Sequence, residues 1–495
     1  MNDAHHVPRA VEPLCWPSDA KLTLPGSKSE ANRLLIAAAV CGRTVTIHGA
    51  TPSDDVRQLV QGLCTLGHDC AFVDEAQGIV RVGPRRGDAP TTGELHCGNA
   101  GTALRFLVSL AAMTPGDWVV SGDARMQERP IEPLVQVLRQ LGVAIEARSG
   151  CPPVRVRGAH LRGGAVALDA SLSSQFLTSL LLIAPAMPTG LAVRLRGTLA
   201  SADYALWTLR VLERFGVRAA HDREVGYVVS PGFGDVPARL DVGGDWSAMG
   251  VWTCLGWLTG SRVHGSNLQT NSAQPDEALA ALLRRFDDGA DLQVDVTGMP
   301  DQFLNLAVVA ALRRGAARFV NAGNLRLKEC DRLAVAAREL ARLGVACEQR
   351  RDELVVHGTG EIGAGTVDPA GDHRVAMAFA LAGLMRPGIA IAMPACVAKS
   401  YPGFWTDVER VRREHRPVAI VGMRAAGKTT LARELAAACG SAFVDTDERF
   451  VAAHGPIAAF VQNHGWAAFR ERERELVAAA LRPGTIVALG GGAIE

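Results

Sequence analysis

One junction recurs along this chain and constrains its fold more than any other feature. A helix-like run ends in Leu-x-x-Leu-Gly or Leu-x-x-Phe-Gly, and an alternating strand pattern follows a short turn. "LCTLGHDC" from Leu63 leads to "GIVRVG", and "LRQLGVAIEARSG" from Leu138 leads to "PVRVRG". "LERFGVRAAHDREV" from Leu212 leads to "GYVVS", and "LARLGVACEQRRDE" from Leu340 leads to "LVVHG". A weaker copy, "LRRFDDGADLQVDVTG", starts at Leu283. The Gly suits a helix C′ position that needs left-handed backbone, and the alternating run suits a half-buried strand. The anchors Leu66, Leu141, Phe215, Phe286 and Leu343 are spaced by 75, 74, 71 and 57 residues. Those periods are too long for a solenoid. They predict repeated αβ subdomains that share helical cores and present sheets outward, although such junctions also occur in any α/β protein.

A second organisation begins near "VERVRREHRPVAIVG". The charge run from Arg410 to Arg416 ends at Pro417 and a fresh strand starts. We place a linker at 412–416 and a separate segment at 417–495. That segment carries "AIVGMRAAGKTTLARELA" from Ala419, with the phosphate-loop spacing G-x-x-x-x-G-K-T from Gly422 to Thr429. A strand pattern before it and a helix pattern after it supply the context the motif needs.

Charge excludes some classes. Lys plus Arg total 52 against 51 Asp plus Glu, so no overall positive field draws in nucleic acid or an anionic membrane. Any anion site must come from local clusters. The 11 Cys are scattered with no C-x-x-C pair, and the N-terminus has no apolar signal core. Free thiols in a reducing cytoplasm follow. No apolar run reaches the roughly 20 residues of a membrane span.

Local clusters do occur, each a polar, basic start to an apolar helix. "LPGSKSEANRLLIAAAV" offers Lys28, Ser29 and Arg33; "CGNAGTALRFL" offers Asn99, Gly101, Thr102 and Arg105. "DARMQERPIEPL" adds Arg125 and Arg129, and "SLSSQFLTSLLL" adds Ser173, Ser174 and Gln175. "NLRLKECDRL" holds Asn324, Lys328, Glu329 and Arg332, with Lys328 and Arg332 expected on one helical face. "GDHRVAMAFALAGL" brings His373 and Arg374, and "CVAKSYPGFW" brings Lys399. N-capping or a solvated helix start explains each segment taken alone. Converged, they make a cleft for polyanionic small molecules that uses Arg and Lys instead of metal, with Glu329 as an acid–base candidate.

Together these segments, in this order over about residues 10–410, resemble the 5-enolpyruvylshikimate-3-phosphate (EPSP) synthase family. The resemblance implies an α/β fold of two domains built from βαβαββ units, an inside-out α/β barrel. One domain is expected at 1–24 and 245–411 and the other at 25–244, with crossovers near Leu24 and Gly243–Asp245. It implies transfer of the enolpyruvyl group of phosphoenolpyruvate to the 5-hydroxyl of shikimate 3-phosphate, without a cofactor. Carried over by motif, Ser29, Arg33, Ser173, Ser174, Ser201, Tyr204 and Asn324 would hold shikimate 3-phosphate. Asn99, Gly101, Arg129, Gln175, Arg332, Arg374 and Lys399 would hold phosphoenolpyruvate. Lys28, Asp301, Lys328, Glu329 and His373 would be catalytic. Asp301 would accept the hydroxyl proton, and Glu329 with Lys328 would handle the proton at the methylene carbon. Two features depart from the family pattern: Phe106 stands where many members carry Pro, and "DWSAMGVWTCLGWL" is rich in Trp, which we read as core. Retention of Gly101 leads us to expect inhibition by glyphosate.

From Pro417 the chain resembles the N-terminal part of shikimate kinase, fused as in arom-type polypeptides. By that resemblance Gly422, Gly427, Lys428, Thr429 and Thr430 would bind ATP, and Thr429 and Asp445 magnesium. Asp447, Arg470, Gly491 and Gly492 would bind shikimate. The segment is expected to be an incomplete, feeble kinase whose remainder, or another pathway enzyme, would be a partner. Two other readings stay open: an enolpyruvyl transferase acting on UDP-N-acetylglucosamine, and a non-catalytic scaffold. A cytoplasmic location is expected, with no nucleic acid or membrane partner.

Overall fold

The computed structural model describes residues 7–199, 201–222, 224–286 and 289–491. Four expected junctions form. Helices Asp54–Thr65, Glu132–Gln140, Ala202–Glu213 and Arg332–Arg342 run into Gly67, Gly142, Gly216 and Gly344, whose φ angles are 89°, 91°, 66° and 82°. These are left-handed values that a Cβ resists. Each junction leads into an antiparallel hairpin, such as His68–Asp74 with Ile79–Arg85 and Ala144–Arg148 with Cys151–Gly158. The weaker copy behaves differently. After the short helix Leu279–Leu283 the chain enters strand Leu292–Asp295, which pairs in parallel with Arg314–Val320. That junction therefore opens a unit and makes no hairpin.

Four four-stranded sheets share one order. In Thr92–His96, Gly116–Ser121, Cys151–Gly158 and Ala144–Arg148, the first pair is parallel and the other two are antiparallel. The sheets that begin at Gly164 and Leu292 repeat this pattern. In the remaining one the first place is taken by Arg239–Asp241, which returns late in the chain to lie parallel to Val45–His48. The unit is thus βαβαββ. A smaller sheet joins Arg9–Val11, Ile389–Ile391 and Gly365–Val367.

Helices Lys28–Cys41, Gly101–Met113, Ser174–Ile183, Phe303–Ala311 and His373–Met385 are buried along most of their length. They are apolar nearly all round, which leaves the interior as their only stable place. Their polar first turns must then face a cavity or each other. The two segments expected as crossovers lie side by side: Ser27 donates its N–H to Gly243 O, and Asp245 donates to Pro25 O.

The chain divides into two compact units. The larger comprises 1–12, 23–254 and 265–404; the smaller comprises 13–22, 255–264 and 405–495. The smaller holds a parallel sheet in the order Val418–Ile420, Thr485–Ala488, Ala442–Asp445. Helix Lys428–Cys439 starts after Gly427, whose φ is 77°. Residues 412–416 include the end of helix Phe404–Arg413 and a bridge from His415 to Ser18. Of the Trp residues read as core, Trp252 is buried, Trp246 is half-buried with its indole N–H on Gln269 O, and Trp257 is exposed, which corrects that reading for Trp257.

Candidate active site

The apolar helices of the larger unit bring their polar starts to one cavity of about 750 Å³, part of it open to solvent. Lys28, Ser29 and Arg33 enter from one helix start, Gly101 from a second, and Ser173, Ser174 and Gln175 from a third. Arg129, Ser201, Tyr204, Asp301, Asn324, Lys328, Glu329 and Arg374 complete the expected residues on the wall.

Local bonds fix several of them. Ser173 is an N-cap, its Oγ accepting the Gln175 N–H at 3.2 Å, while Gln175 Nε2 donates to Thr102 Oγ1 at 3.0 Å. Ser201 sits at φ 55°, an unfavourable conformation for serine, and donates to Thr297 O at 3.2 Å. Arg33 is buried, donates from Nε to Thr208 Oγ1 at 3.0 Å, and lies 4.9 Å from the Trp207 ring centroid. Arg129 donates from Nε to Leu327 O and from Nη1 to Asn99 Oδ1, both at 3.1 Å. The expected single face for Lys328 and Arg332 does not form. Asp331 caps the helix, accepting from the Ala334 N–H at 3.0 Å, so Arg332 is its first residue and Lys328 lies in the preceding turn.

Asn99, Arg332, His373 and Lys399 do not line the cavity and stand behind its wall. Arg332 is 1% exposed and meets three carboxylates: Asp301 at 3.0 Å, Glu329 at 3.0 Å and Asp372 at 2.8 Å. Arg374 holds the other Asp301 oxygen at 2.9 Å. Asn99 Nδ2 donates to Glu329 O at 3.2 Å. Lys399 donates to Asn99 O at 2.8 Å and pairs with Asp55 at 2.7 Å; Asp55 also pairs with Lys28 at 2.8 Å. His373 is fully buried, and neither ring nitrogen has a hydrogen-bond partner among the described residues, the Asp372 carboxylate standing 3.6 Å from Nδ1. Phe106 is likewise buried away from the cavity.

Charge in the site follows from this network. Burial pushes the Asp301 carboxyl up, but Arg374, Lys328 and Arg332 outweigh it and hold it below the ordinary range. Burial and then Arg332, Arg129 and Lys399 act in the same two directions on Glu329, which ends well below its usual value. Burial dominates at Lys328, whose pKa is lowered, and at His373, which Lys28 and Arg374 push further down into the neutral form. Asp276 accepts from Ser247 Oγ and, at 3.4 Å, from Tyr204 Oη. Burial, with Asp301 nearby, raises its carboxyl to about 6.

Sequence reasoning missed Asp55, Asp276 and Asp372. Asp372 did carry a signal as the residue before an apolar helix: its Oδ1 caps Arg374 N–H at 2.8 Å. Its pairing with Arg332 had none.

In the smaller unit, residues 421–427 of the phosphate loop are exposed. Lys428 Nζ donates back to Met423 O at 2.9 Å, and Thr429 Oγ1 donates to Asp445 Oδ2 at 2.7 Å. The other Asp445 oxygen caps the Asp447 and Glu448 N–H groups. A hydroxyl and a carboxylate side by side next to an open loop fit a phosphate-bound hard cation. Arg470 pairs with Glu473 at 2.6 Å, and a Cβ at Gly490 would lie 2.6 Å from Asp447 Oδ1 and 2.7 Å from Glu473 Oε1. Asp447, Arg470 and the Gly490–Gly491 backbone therefore share one neighbourhood, while Gly492 lies outside the described residues.

Residues 17–408 match the family model of EPSP synthase (3-phosphoshikimate 1-carboxyvinyltransferase), and residues 424–495 match that of shikimate kinase. The 3-phosphoshikimate 1-carboxyvinyltransferase of Pseudomonas syringae pv. tomato is 36% identical over 403 residues, covering 80% of this chain and 95% of that protein. The pentafunctional AROM polypeptide of Komagataella phaffii is 31% identical over 544 residues, covering 97% of this chain but only 35% of that protein. Among solved structures, EPSP synthase from Acinetobacter baumannii aligns with a TM-score of 0.66 at 24% identity, over 82% of this chain and 98% of that one. This last likeness shows the shared fold. No helix among the described residues is long and apolar enough to cross a membrane.

Proposed function

The chain belongs to the EPSP synthase family, with a shikimate kinase segment following, and from that premise we propose how its own residues divide the work. The activity is that of a 3-phosphoshikimate 1-carboxyvinyltransferase of the shikimate pathway. Enolpyruvyl passes from phosphoenolpyruvate to the 5-hydroxyl of shikimate 3-phosphate, and phosphate leaves.

Ser29, Arg33, Ser173, Ser174, Ser201, Tyr204 and Asn324 hold shikimate 3-phosphate. Lys28, Gly101, Arg129, Gln175 and Arg374 hold phosphoenolpyruvate, with Asn99, Arg332 and Lys399 supporting them from behind. The observation that carries this reading is that Asp301 and Glu329 both face the cavity while sharing Arg332. Without substrate both carboxylates are held ionised, so neither is yet a useful acid or base. Substrate phosphate and carboxylate groups that engage Arg374, Lys328 and Arg129 weaken those cations' grip on the two carboxylates, and their basicity rises. Asp301 then takes the 5-hydroxyl proton as that oxygen bonds to C2 of phosphoenolpyruvate. Glu329, having picked up a proton, gives it to C3. In the elimination Glu329 takes a proton back from C3 as the C2–O bond to phosphate breaks. Lys28 and Arg129 stabilise the departing charge. His373, buried and neutral, supports the wall beside Lys28.

The scheme makes C3 a methyl group in passing. Turnover in deuterium oxide must therefore place deuterium in the vinyl methylene of the product, read by mass spectrometry. Turnover with no deuterium there would contradict proton addition at C3.

Shikimate kinase family membership of the C-terminal segment implies use of ATP. We assign its phosphates to the loop from Gly422 to Gly427 with Lys428 and Thr430. Thr429 and Asp445 would hold magnesium, which supplies neutralisation of phosphate charge when bound. Asp447, Arg470 and Gly491 would meet shikimate. The 11 cysteines, none of them disulfide-bonded, suit a cytoplasmic site of action.

A further inference from the structure

Helix Asp54–Thr65 contributes nothing to the cavity wall, yet one of its side chains ties together two of the cations around it. Asp55 is 2% exposed. Its Oδ2 accepts from Lys28 Nζ at 2.8 Å and its Oδ1 from Lys399 Nζ at 2.7 Å. Lys399 donates a second bond to Asn99 O at 2.8 Å, and Asn99 in turn bonds Arg129 and the Glu329 backbone. A buried carboxylate is stable only when its oxygens are satisfied, and here each oxygen serves a different ammonium. The arrangement fixes the spacing of the two cations and balances part of their charge. Without it they would repel each other at short range, and Lys28 would lose its proton at lower pH.

We propose that Asp55 is a positioning residue for phosphoenolpyruvate, which sets the spacing of Lys28 and Lys399. This rests on the assignment of phosphoenolpyruvate to that end of the cavity. The surroundings support it. Lys28 faces Asp55, Glu329, Arg374, His373 and Asp245, and Lys399 faces Asp55, Glu329 and His373. Burial pulls the Lys28 ammonium down, and Asp55, with help from Glu329, more than reverses it. Asp55 is itself pushed up by burial and brought below its ordinary value by Lys28 and then Lys399. The sequence "PSDDVRQL" discloses none of this, since an acidic first turn is ordinary helix chemistry.

Phosphate-release kinetics of the whole chain and of the variants Asp55→Asn and Asp55→Glu, from about pH 6 to about 11 so that the range passes the ordinary lysine value of about 10.4, test the proposal. Asp55→Asn should raise KM for phosphoenolpyruvate by about 10-fold or more and leave KM for shikimate 3-phosphate little changed. The alkaline limb of kcat/KM for phosphoenolpyruvate should move to lower pH, because Lys28 loses its strongest anionic neighbour. Asp55→Glu should restore the alkaline limb and part of the affinity. If Asp55→Asn fails to fold, Asp55→Glu decides: it must keep the wild-type limb while weakening phosphoenolpyruvate. An unmoved limb and unmoved KM in Asp55→Asn would overturn the proposal, as would an equal rise in both KM values. Wild-type chain that releases no phosphate would overturn the functional assignment and this proposal together, whereas an active wild type with an unaffected Asp55→Asn sinks only the proposal.

Discussion

Gly101→Ala is the most economical test of where phosphoenolpyruvate sits. Gly101 opens helix Gly101–Met113 and is not in the left-handed region, so its backbone accepts any L-residue and only space decides. A Cβ built there lies 2.5 Å from Arg129 Nη2 and 2.8 Å from its Cζ and Nη1. Ordinary contact requires the guanidinium to retreat by about 1 Å. Arg129 is buried, and its bonds to Leu327 O and Asn99 Oδ1, both 3.1 Å, would stretch to roughly 4 Å, beyond hydrogen bonding. Overpacking of this kind costs about 1–3 kcal/mol, while alanine regains up to about 1 kcal/mol over glycine in a helix. With that offset, folding stability should fall by no more than about 2 kcal/mol. The displaced cation should instead appear in binding, as a rise of about 10- to 100-fold in KM for phosphoenolpyruvate, equivalent to about 1.4–2.7 kcal/mol. Initial rates of phosphate release, with each substrate varied at saturation of the other, separate the two constants. An unchanged phosphoenolpyruvate KM, or an equal rise in that for shikimate 3-phosphate, would refute the placement of Arg129.

The same structure fixes three other outcomes. The Asp276 carboxyl, raised by folding to about 6, binds its proton more tightly in the folded chain than in the unfolded one. Wild type therefore loses stability as pH rises from about 4 through 6. Asp276→Asn should escape that loss, gaining at most about 3 kcal/mol relative to wild type at pH 7 and nothing at pH 4; parallel curves of Tm against pH would contradict it. Lys428→Met should abolish the heat of ATP–magnesium binding to the whole chain in calorimetry while synthase turnover continues, and undiminished binding would remove Lys428 from the phosphate site. Glyphosate at millimolar concentration should slow phosphate release in competition with phosphoenolpyruvate; indifference to it would mean that the Gly101 loop is not shaped as assigned.

Features that repeat, or that lie close along the chain, were legible in the sequence. Leu66–Gly67, Leu141–Gly142, Phe215–Gly216 and Leu343–Gly344 end their helices where expected, because the left-handed C′ residue is a local requirement. The copy at Phe286 carries the apolar half of the motif but heads into a parallel strand, since the pairing of the next strand is decided by its partner and not by the junction. Polar helix starts such as Lys28–Ser29 and Ser173–Gln175 pointed to a shared cavity, because apolar helices had nowhere else to present them. Which cation stands on the wall and which behind it was not legible. Arg332 and Lys399 are taken up by Asp372 and Asp55, and those pairings span 40 and 344 residues of chain. Asp331 as an N-cap also outcompeted the expected Lys328–Arg332 face, a choice between two local patterns that helix capping settles.

The measurement that bears most directly on the whole account is phosphate release by purified 1–495 with shikimate 3-phosphate and phosphoenolpyruvate in metal-free buffer, beside Glu329→Ala. Turnover should need both substrates and fall to background in the variant while shikimate 3-phosphate still binds. Folded wild-type protein that releases no phosphate, or a variant as fast as wild type, would contradict it.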